Sequence, residues 1–399
     1  MEKPDHVVYM DNAATTAVDP RVVEAMLPYF TQHYGNASSL HAPGRDAAGA
    51  LRQARGTVAE ILGAEPSEII FTSCGSESDN LALRGVAFAS RKKGNHIITS
   101  SVEHHAIGHT CEQLETEFGF EITYLPVDRY GLVNPEDVAA AITDQTVLIS
   151  IMYANNEVGT IEPLEKIGGL ARAKGVPLHT DAVQAGGALD LGVNRLGVDL
   201  MSLSGHKIYA PKGVGVLYVR QGTPLLPMLT GGGHEGNRRA GTENVAYAVA
   251  FAKALELTQE ARDESNLHLA SLRDRLIRGV LRAIPDCELT GHPSSRLPNS
   301  ASFVFEGVEG ESILLGLDLL GVAASSGSAC TTGEAQASHV LLAMGIPPEI
   351  AHGSLRLTLG KGTTELDVDY VVSVLPGIIE RLRQMSPLYQ MASTAPRRA

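Results

Sequence analysis

The chain has 399 residues, 44% of them hydrophobic and 19% charged, and carries a formal net charge of −13. That length accommodates two domains with sizeable cores, and the acidic balance excludes the basic face that nucleic acid requires. No apolar run approaches the ~20 residues that cross a bilayer, and Met1–His6 lacks the apolar stretch of a secretory signal. The expectation is a cytoplasmic protein with neither a membrane nor a nucleic-acid partner. Its four cysteines, Cys74, Cys111, Cys287 and Cys330, are widely spaced, which supports neither a disulfide framework nor a four-cysteine zinc site.

Between residues 55 and 220 short apolar runs alternate with stretches long enough to be crossover helices. The runs are Ile69–Thr72, His96–Thr99, Ile122–Leu125, Val147–Met152, Pro177–Thr180, Asp199–Leu203 and Gly215–Val219; Ser78–Ala89 and Pro163–Lys174 are helical stretches between them. This alternation predicts an α/β fold with a largely parallel sheet covered on both faces. A long helical region follows Thr242 and runs through Ala283, interrupted only by Gly279. Leu269, Leu272, Leu276, Val280 and Ile284 recur there at three- and four-residue steps. The rhythm then changes. A strand at Ser300–Phe305, a helix at Glu309–Leu320, a strand at Ser354–Leu359 and a helix at Thr364–Met385 predict a smaller α+β domain. The expected organisation is an arm over 1–17 packing with the small domain, a large domain over 18–262, the small domain over 263–385 and a mobile tail over 386–399.

Ligands of open parallel sheets bind beyond the carboxyl ends of the strands, and here those ends are followed at once by polar residues. In chain order these are Ser73–Glu77, Glu103–His105, Asn155–Glu157, Asp181 with Gln184, and Ser204–Lys207. The turn at Ser73–Ser78 would present backbone N–H groups at a helix N-terminus, which suits a phosphate. Its spacing matches neither a P-loop nor a dinucleotide fingerprint. Read locally, Ser76 is equally a plain N-cap, and Cys74 reads as packing. His104 could stack on a flat ring or move a proton. Glu103, His105, His109 and Cys111 lie close by, yet no metal-binding spacing joins them, so no metal is expected. Asp181 ends its strand where a carboxylate could pair with a pyridinium nitrogen. Lys207 follows an apolar strand and precedes a glycine-rich turn; a desolvated lysine there could form a Schiff base with an aldehyde. Lys212 reads as a surface charge. Cys330 lies in a run of Gly, Ser, Thr and Ala that reads as a flexible surface loop, where a thiol needs a base or a positive neighbour to become a nucleophile. Arg356 alternates out of an apolar strand and could hold a carboxylate by two parallel hydrogen bonds.

Taken in order, these segments resemble the class I cysteine desulfurases typified by the NifS and IscS proteins, pyridoxal-phosphate (PLP) enzymes related to the class-V aminotransferases. The likeness runs through nearly the whole chain. It is carried by Asp11–Thr16, Gly35–Ser39 with His41, Thr72–Asn80, Asn155–Gly159, Ser204–Lys207, Arg239–Thr242, and Ser325–Thr331 followed by Ser338–Leu341. The resemblance implies the aspartate-aminotransferase fold (fold type I), with a mostly parallel seven-stranded sheet, and a homodimer with sites near the subunit interface. It implies that Lys207 binds PLP covalently, that Asp181 pairs with the ring nitrogen and that His104 stacks on the ring. Asn156 and Gln184 would contact ring substituents. Gly75, Ser76, Ser204 and His206 would hold the phosphate, with Thr242 reaching over from the other subunit. Arg356, helped by Asn12 or Asn36, would bind the substrate carboxylate.

The implied reaction removes sulfur from L-cysteine, giving L-alanine and a persulfide on Cys330. The sulfur would pass to an acceptor such as an iron–sulfur scaffold protein, one accepting transient cluster ligation by Cys330, or to another thiolation pathway. The length of the segment from Ser325 to Ala337 favours class I over relatives with a shorter cysteine loop. The rest of that segment, Thr332 to Ala337, departs from the family pattern, which bears on the acceptor. Two other readings stand beside this one. An aminotransferase or selenocysteine lyase of the same fold would explain Lys207 and Asp181 but not Cys330, and a catalytically idle scaffold would need neither.

Overall fold

The computed structural model describes residues 4–326, 337–386 and 389. Cys330, and all of the expected C-terminal tail beyond Ser386 except Tyr389, lie outside the described residues. The first strand, β1 (Val8–Tyr9), belongs to an arm that crosses the molecule. Seven further strands make the main sheet: β2 (Ile69–Thr72), β3 (His96–Ser100), β4 (Glu121–Leu125), β5 (Thr146–Ser150), β6 (Leu178–Asp181), β7 (Leu200–Ser204) and β8 (Gly215–Val219). Their spatial order is β2-β8-β7-β6-β5-β3-β4. Only β8 breaks the parallel arrangement, running antiparallel to both β2 and β7. The expected α/β class and mostly parallel seven-stranded sheet are therefore what forms, and each expected strand is present with its ends displaced by two residues or fewer.

Strand periodicity divides the sheet's side chains between two layers. Ile98, Ile149, Met201 and Val216 face one core with the helices Ala42–Leu62, Leu164–Lys174 and Val245–Glu260. Their neighbours Ile97, Leu148, Leu200 and Leu217 face the other, with the helices Gly75–Ser90 and His105–Phe118. Burial on both faces explains why these strands read as unbroken apolar runs; only the edge strand β4 exposes much of itself.

A second core gathers around β9 (Cys287–Leu289), β10 (Ser300–Phe305) and β12 (Ser354–Thr358), an antiparallel sheet in the order β12-β10-β9. Helices Arg262–Ala283, Gly310–Leu319 and Glu365–Met385 pack against it. Strand β11 (Val322–Ala323) pairs in parallel with β1, so Val8 and Met10 of the arm enter this core. The single long helix expected after Thr242 is instead two, Val245–Glu260 and Arg262–Ala283, broken at Ala261 (ψ −1°). The break is where the chain leaves the first core for the second. Gly279 interrupts nothing. A Cβ there would stand 2.7 Å from Val372 Cγ2, so the glycine serves the close approach of helix Glu365–Met385.

Register brings the ligand-binding edge together. Thr72 of β2 and Ser204 of β7 both lie opposite Gly215 at the start of β8, and Asp181 at the end of β6 pairs with Ser202. A Cβ on Gly215 would lie 2.6 Å from the carbonyl carbon of Cys74. Gly215→Ala should thus displace the turn that follows β2 and destabilise the protein by about 1–3 kcal/mol. Thermal unfolding checks this, and an unchanged Tm would show that the turn has slack.

Candidate active site

A cavity of about 330 Å3 opens at this edge, and the strand ends supply its walls. It is lined by Lys207, Asp181, Gln184, Asn156, His104, Gly75, Ser76, Ser204, His206 and Arg356, ten of the expected site residues. Of the others, Cys330 lies outside the described residues and three line no part of this cavity. Asn12 lines an adjoining cavity that shares Lys207 and Gln184. Asn36 is exposed, its Oδ1 accepting the Ser38 N–H at 2.9 Å, and Thr242 is exposed and absent from the cavity of its own protomer.

Lys207 sits one turn past β7, with Nζ donating to the carbonyls of Ala13, at 2.5 Å, and Ala14, at 2.7 Å. Burial, and next the nearby Arg356 guanidinium, lower its pKa to about 8, although Asp11 and Asp181 oppose them. An amine so placed is neutral, and nucleophilic, much closer to physiological pH than an exposed lysine. Asp181 is buried, with Oδ1 accepting the Val183 N–H at 2.9 Å. Burial raises its pKa while His104 and Lys207 hold it down.

His104 N-caps helix His105–Phe118, its Nδ1 accepting the Ala106 N–H at 3.1 Å. A backbone N–H can only donate, and burial lowers the ring's pKa. The neutral ring therefore carries its proton on Nε2, so the cap selects the tautomer. Gln184 donates to the Ala13 carbonyl at 3.0 Å. The Arg356 guanidinium is divided between the Asn156 carbonyl (2.8 Å) and Asp11 Oδ1 (3.0 Å), while its Nε is buried with no partner among the described residues. Of five N–H donors, three remain for a carboxylate.

The turn after β2 differs from expectation in detail. Cys74, not Ser76, is the N-cap of helix Gly75–Ser90. Its sulfur accepts the Glu77 N–H at 3.4 Å, and Cys74 itself lines the cavity rather than packing in a core. Gly75 and Ser76 then hold the first two helical positions, whose N–H groups have no intrahelical carbonyl. Burial pushes the Cys111 thiol up to about 12. His105 stacks on His109 at 4.8 Å and lies 4.8 Å from His339, but no group of three metal-binding side chains gathers among the described residues.

The comparisons with known proteins agree with this geometry. Residues 8–371 match the family model described as aminotransferase class-V. The chain belongs to the class-V aminotransferase family. It is 55% identical over 381 residues to a cysteine desulfurase IscS of Methanosarcina thermophila, spanning 96% of this chain and 94% of that one. A cysteine desulfurase IscS of Clostridium botulinum is 52% identical, over 96% of this chain and 97% of its own. Among solved structures, a NifS-like protein superposes with a TM-score of 0.88 at 38% identity, over 94% of this chain and all of its own. A protein titled SspA in complex with cysteine gives 0.78 at 36%, covering 88% and 98%.

Enzymes of this class-V group use PLP, and the cavity fits it. Ser204 Oγ is buried with no hydrogen-bond partner among the described residues. A Cβ on Gly75 would lie 2.8 Å from Val183 Cγ2 and 3.3 Å from Ser204 Cβ, so a larger residue would fill that cradle. A buried amine and a buried carboxylate complete the donor set that this cofactor asks for.

Five contributors carry no role that the sequence pattern assigns. The Ala13 and Ala14 carbonyls act through backbone, which no side-chain pattern reveals. Arg239 clasps Glu77 of the turn after β2 at 2.8 Å, and its signal lies in the Arg239–Thr242 block. Asp79 is buried against the cavity, and burial first, then Asp181, raises its pKa; its sole signal was membership of Thr72–Asn80. Glu157 is taken up below. The Lys207 environment makes a prediction with a sign. Capture of PLP by the cofactor-stripped protein should quicken as pH rises through a midpoint near 8, as the amine loses its proton. Arg356→Leu, which removes a charge that lowers the value, should move that midpoint up, and Asp11→Asn should move it down. Stopped-flow absorbance follows the capture, and a midpoint indifferent to both changes would refute this account.

Proposed function

We propose that this protein is a PLP-dependent cysteine desulfurase, taking sulfur from L-cysteine and leaving L-alanine. The observation that carries the reading is the convergence of Lys207, Asp181, His104 and Arg356 on one cavity, in a chain that matches cysteine desulfurases nearly end to end. Bound there, the cofactor supplies an aldehyde for the substrate amine and a ring that accepts electrons released at the substrate α-carbon. Lys207 Nζ holds the cofactor and moves the α-proton, which an amine of pKa about 8 can both take and return. Asp181 keeps a negative charge against the ring nitrogen, and His104 covers the ring with its proton on Nε2. The free N–H groups of Arg356 bind the cysteine carboxylate. Gly75, Ser76, Ser204 and His206 hold the phosphate; burial and the neighbouring lysines, Lys207 foremost, lower His206 to about 4, so it is neutral there.

Cys330 then acts as nucleophile. Its thiolate attacks the substrate sulfur, forming an S–S bond while the C–S bond breaks and its electron pair stays with carbon. Carbon takes protons to become alanine, and the sulfur remains on Cys330 as a persulfide for an acceptor such as an iron–sulfur scaffold. The fold also supports a homodimer. Val23, Leu27, Phe30, Tyr34 and Leu40 form a run of exposed large apolar residues between 36% and 90% accessible, more than a lone protomer ordinarily leaves in one region. A second copy covering it would explain why Thr242 serves no site in its own protomer. A cytoplasmic location belongs to the same reading, supported by free thiols at Cys74, Cys111 and Cys287.

Incubation of the holoenzyme with L-cysteine should release alanine and add the mass of one sulfur atom to the peptide containing Cys330. Cys330→Ser should abolish both, and Lys207→Ala should abolish the visible band of the bound cofactor. Full alanine release by Cys330→Ser would favour an aminotransferase or lyase reading, and a wild-type protein without a visible band an idle scaffold. Phe30→Asp with Leu27→Asp should shift the protein to monomer in size-exclusion chromatography.

A further inference from the structure

The stretch carrying Cys330 leaves the described structure after Ser326 and rejoins it at Ala337. The residues beside its two ends are fastened on one side to Arg356, whose guanidinium reaches the Asn156 carbonyl, and on the other to Glu157, the next residue of that loop. On the first side, Ser325 and Arg356 exchange backbone hydrogen bonds, Arg356 N–H to Ser325 at 2.7 Å and Ser325 N–H to Arg356 at 3.3 Å. The Arg356 guanidinium donates to the Asn156 carbonyl. On the second side, the Ser338 hydroxyl donates to Glu157 Oε2 at 2.5 Å, and the same hydroxyl oxygen accepts the Leu341 N–H, capping helix His339–Ala343.

Glu157 is an unusual anchor. It is 7% exposed and Ser338 3% exposed, and burying a carboxyl is costly unless something is gained. Burial raises its pKa to about 7, even against the Ser338 hydrogen bond and the Arg356 charge. It lies outside the set of residues lining the cofactor cavity. Its own backbone N–H is held by Asn155 Oδ1 at 2.8 Å, and the Asn155 amide is tied to the Val102 carbonyl at 2.9 Å. The carboxyl is thus rigidly presented to Ser338, and Arg356 acts on it only through its charge.

We propose that Glu157 is a positioning residue for the sulfur-transfer half of the reaction, acting through Ser338 on the segment that bears Cys330. The inference rests on the desulfurase reading. Ser325 on one side is held by its backbone pairing with Arg356 of β12, and Ser338 on the other by Glu157, so both flanks of the segment are tied to ordered elements. Fixing both ends of a connecting segment limits the volume its nucleophile explores, which raises the effective concentration of that nucleophile at the substrate. Cofactor and cysteine binding do not depend on this anchor.

The test uses the holoenzyme in single-turnover reactions with L-cysteine, following the cofactor's absorbance change on cysteine binding and, by mass, persulfide on Cys330. Loss of a buried hydrogen bond of this kind should slow persulfide formation roughly tenfold in Glu157→Leu and Ser338→Ala. The amplitude of the absorbance change and the cysteine KM should stay as in the wild type. Glu157→Gln, which keeps an acceptor for Ser338, should retain most of the rate. A wild-type rate in Ser338→Ala overturns the proposal, as does a Gln variant as slow as Leu. So does an equal loss of both signals in a variant that keeps its cofactor band. Ser338→Ala decides the matter if Glu157→Leu does not fold. Absence of persulfide in the wild type would instead overturn the desulfurase reading itself.

Discussion

An amine that must lie buried and still be kept from ion pairing shapes much of this molecule. Among the described residues Lys207 has no carboxylate in contact; its hydrogen bonds go to two backbone carbonyls, and the nearest described charges act only at a distance. Carbonyl partners satisfy the N–H groups without favouring the charged form as strongly as a carboxylate would, so burial prevails and the pKa falls. The arrangement requires the arm at residues 11–16 to cross the sheet edge. Its route is held by the pairing of β1 with β11, by Thr16 on the His206 carbonyl and by Ala13 on Thr358. Arg356 and Asp11 complete the enclosure at 3.0 Å. The arm therefore contributes to the reactivity of a lysine almost two hundred residues away, and the second core matters because it anchors that arm.

Much of this plan could be read from the sequence, for a definite reason. Parallel strands buried on both faces must be apolar throughout, so the first polar residue after each marks the sheet's carboxyl edge. That rule alone picks out Asp181, Lys207, His104 and Ser204. What the rule misses is polarity supplied by backbone or by distant chain. Ala13 and Ala14 look inert as letters. Cys74 was read as packing because a thiol is a weak acceptor, yet its extended backbone (φ −172°) places it ahead of the helix and makes it the cap. The helical break at Ala261 carries no Gly or Pro. It arises because one helix packs on the first core and the next on the second, a tertiary demand that local propensity does not record.

The buried carboxyls show the same division between local and tertiary causes. Glu103, Glu157 and Glu162 all titrate well above an exposed glutamate, with burial the first cause in each. Each lies in a connecting segment and takes hydrogen bonds that stitch loops together: Glu103 from Ser100 and Met152, Glu162 from Val133, Glu157 from Ser338. A folded-state pKa above the unfolded one means that the folded chain binds these protons more tightly. Their contribution is therefore complete below the ordinary glutamate value and declines as pH rises toward 7 or 8. This tendency opposes Lys207, whose neutral form gains as pH rises through the same range.

The two demands meet at Asn155–Glu157. Chemistry at the α-carbon calls for a neutral Lys207 and so favours the alkaline side of about 8, whereas the loop that holds the far end of the Cys330 segment is most firmly tied when Glu157 is at or below about 7. Neither group can be moved toward the other without cost. Exposing Glu157 would lower its pKa but loosen Ser338, and pairing Lys207 with a carboxylate would raise its charge where a nucleophile is needed. Separation is the available solution. The amine is served by carbonyls of the arm and the carboxyl by the serine that caps helix His339–Ala343, while Arg356 bridges the arm and the Asn155–Glu157 loop through Asp11 and the Asn156 carbonyl. A desulfurase built this way can alter the sequence between residues 327 and 336 to suit its acceptor without disturbing the half of the site that activates cysteine.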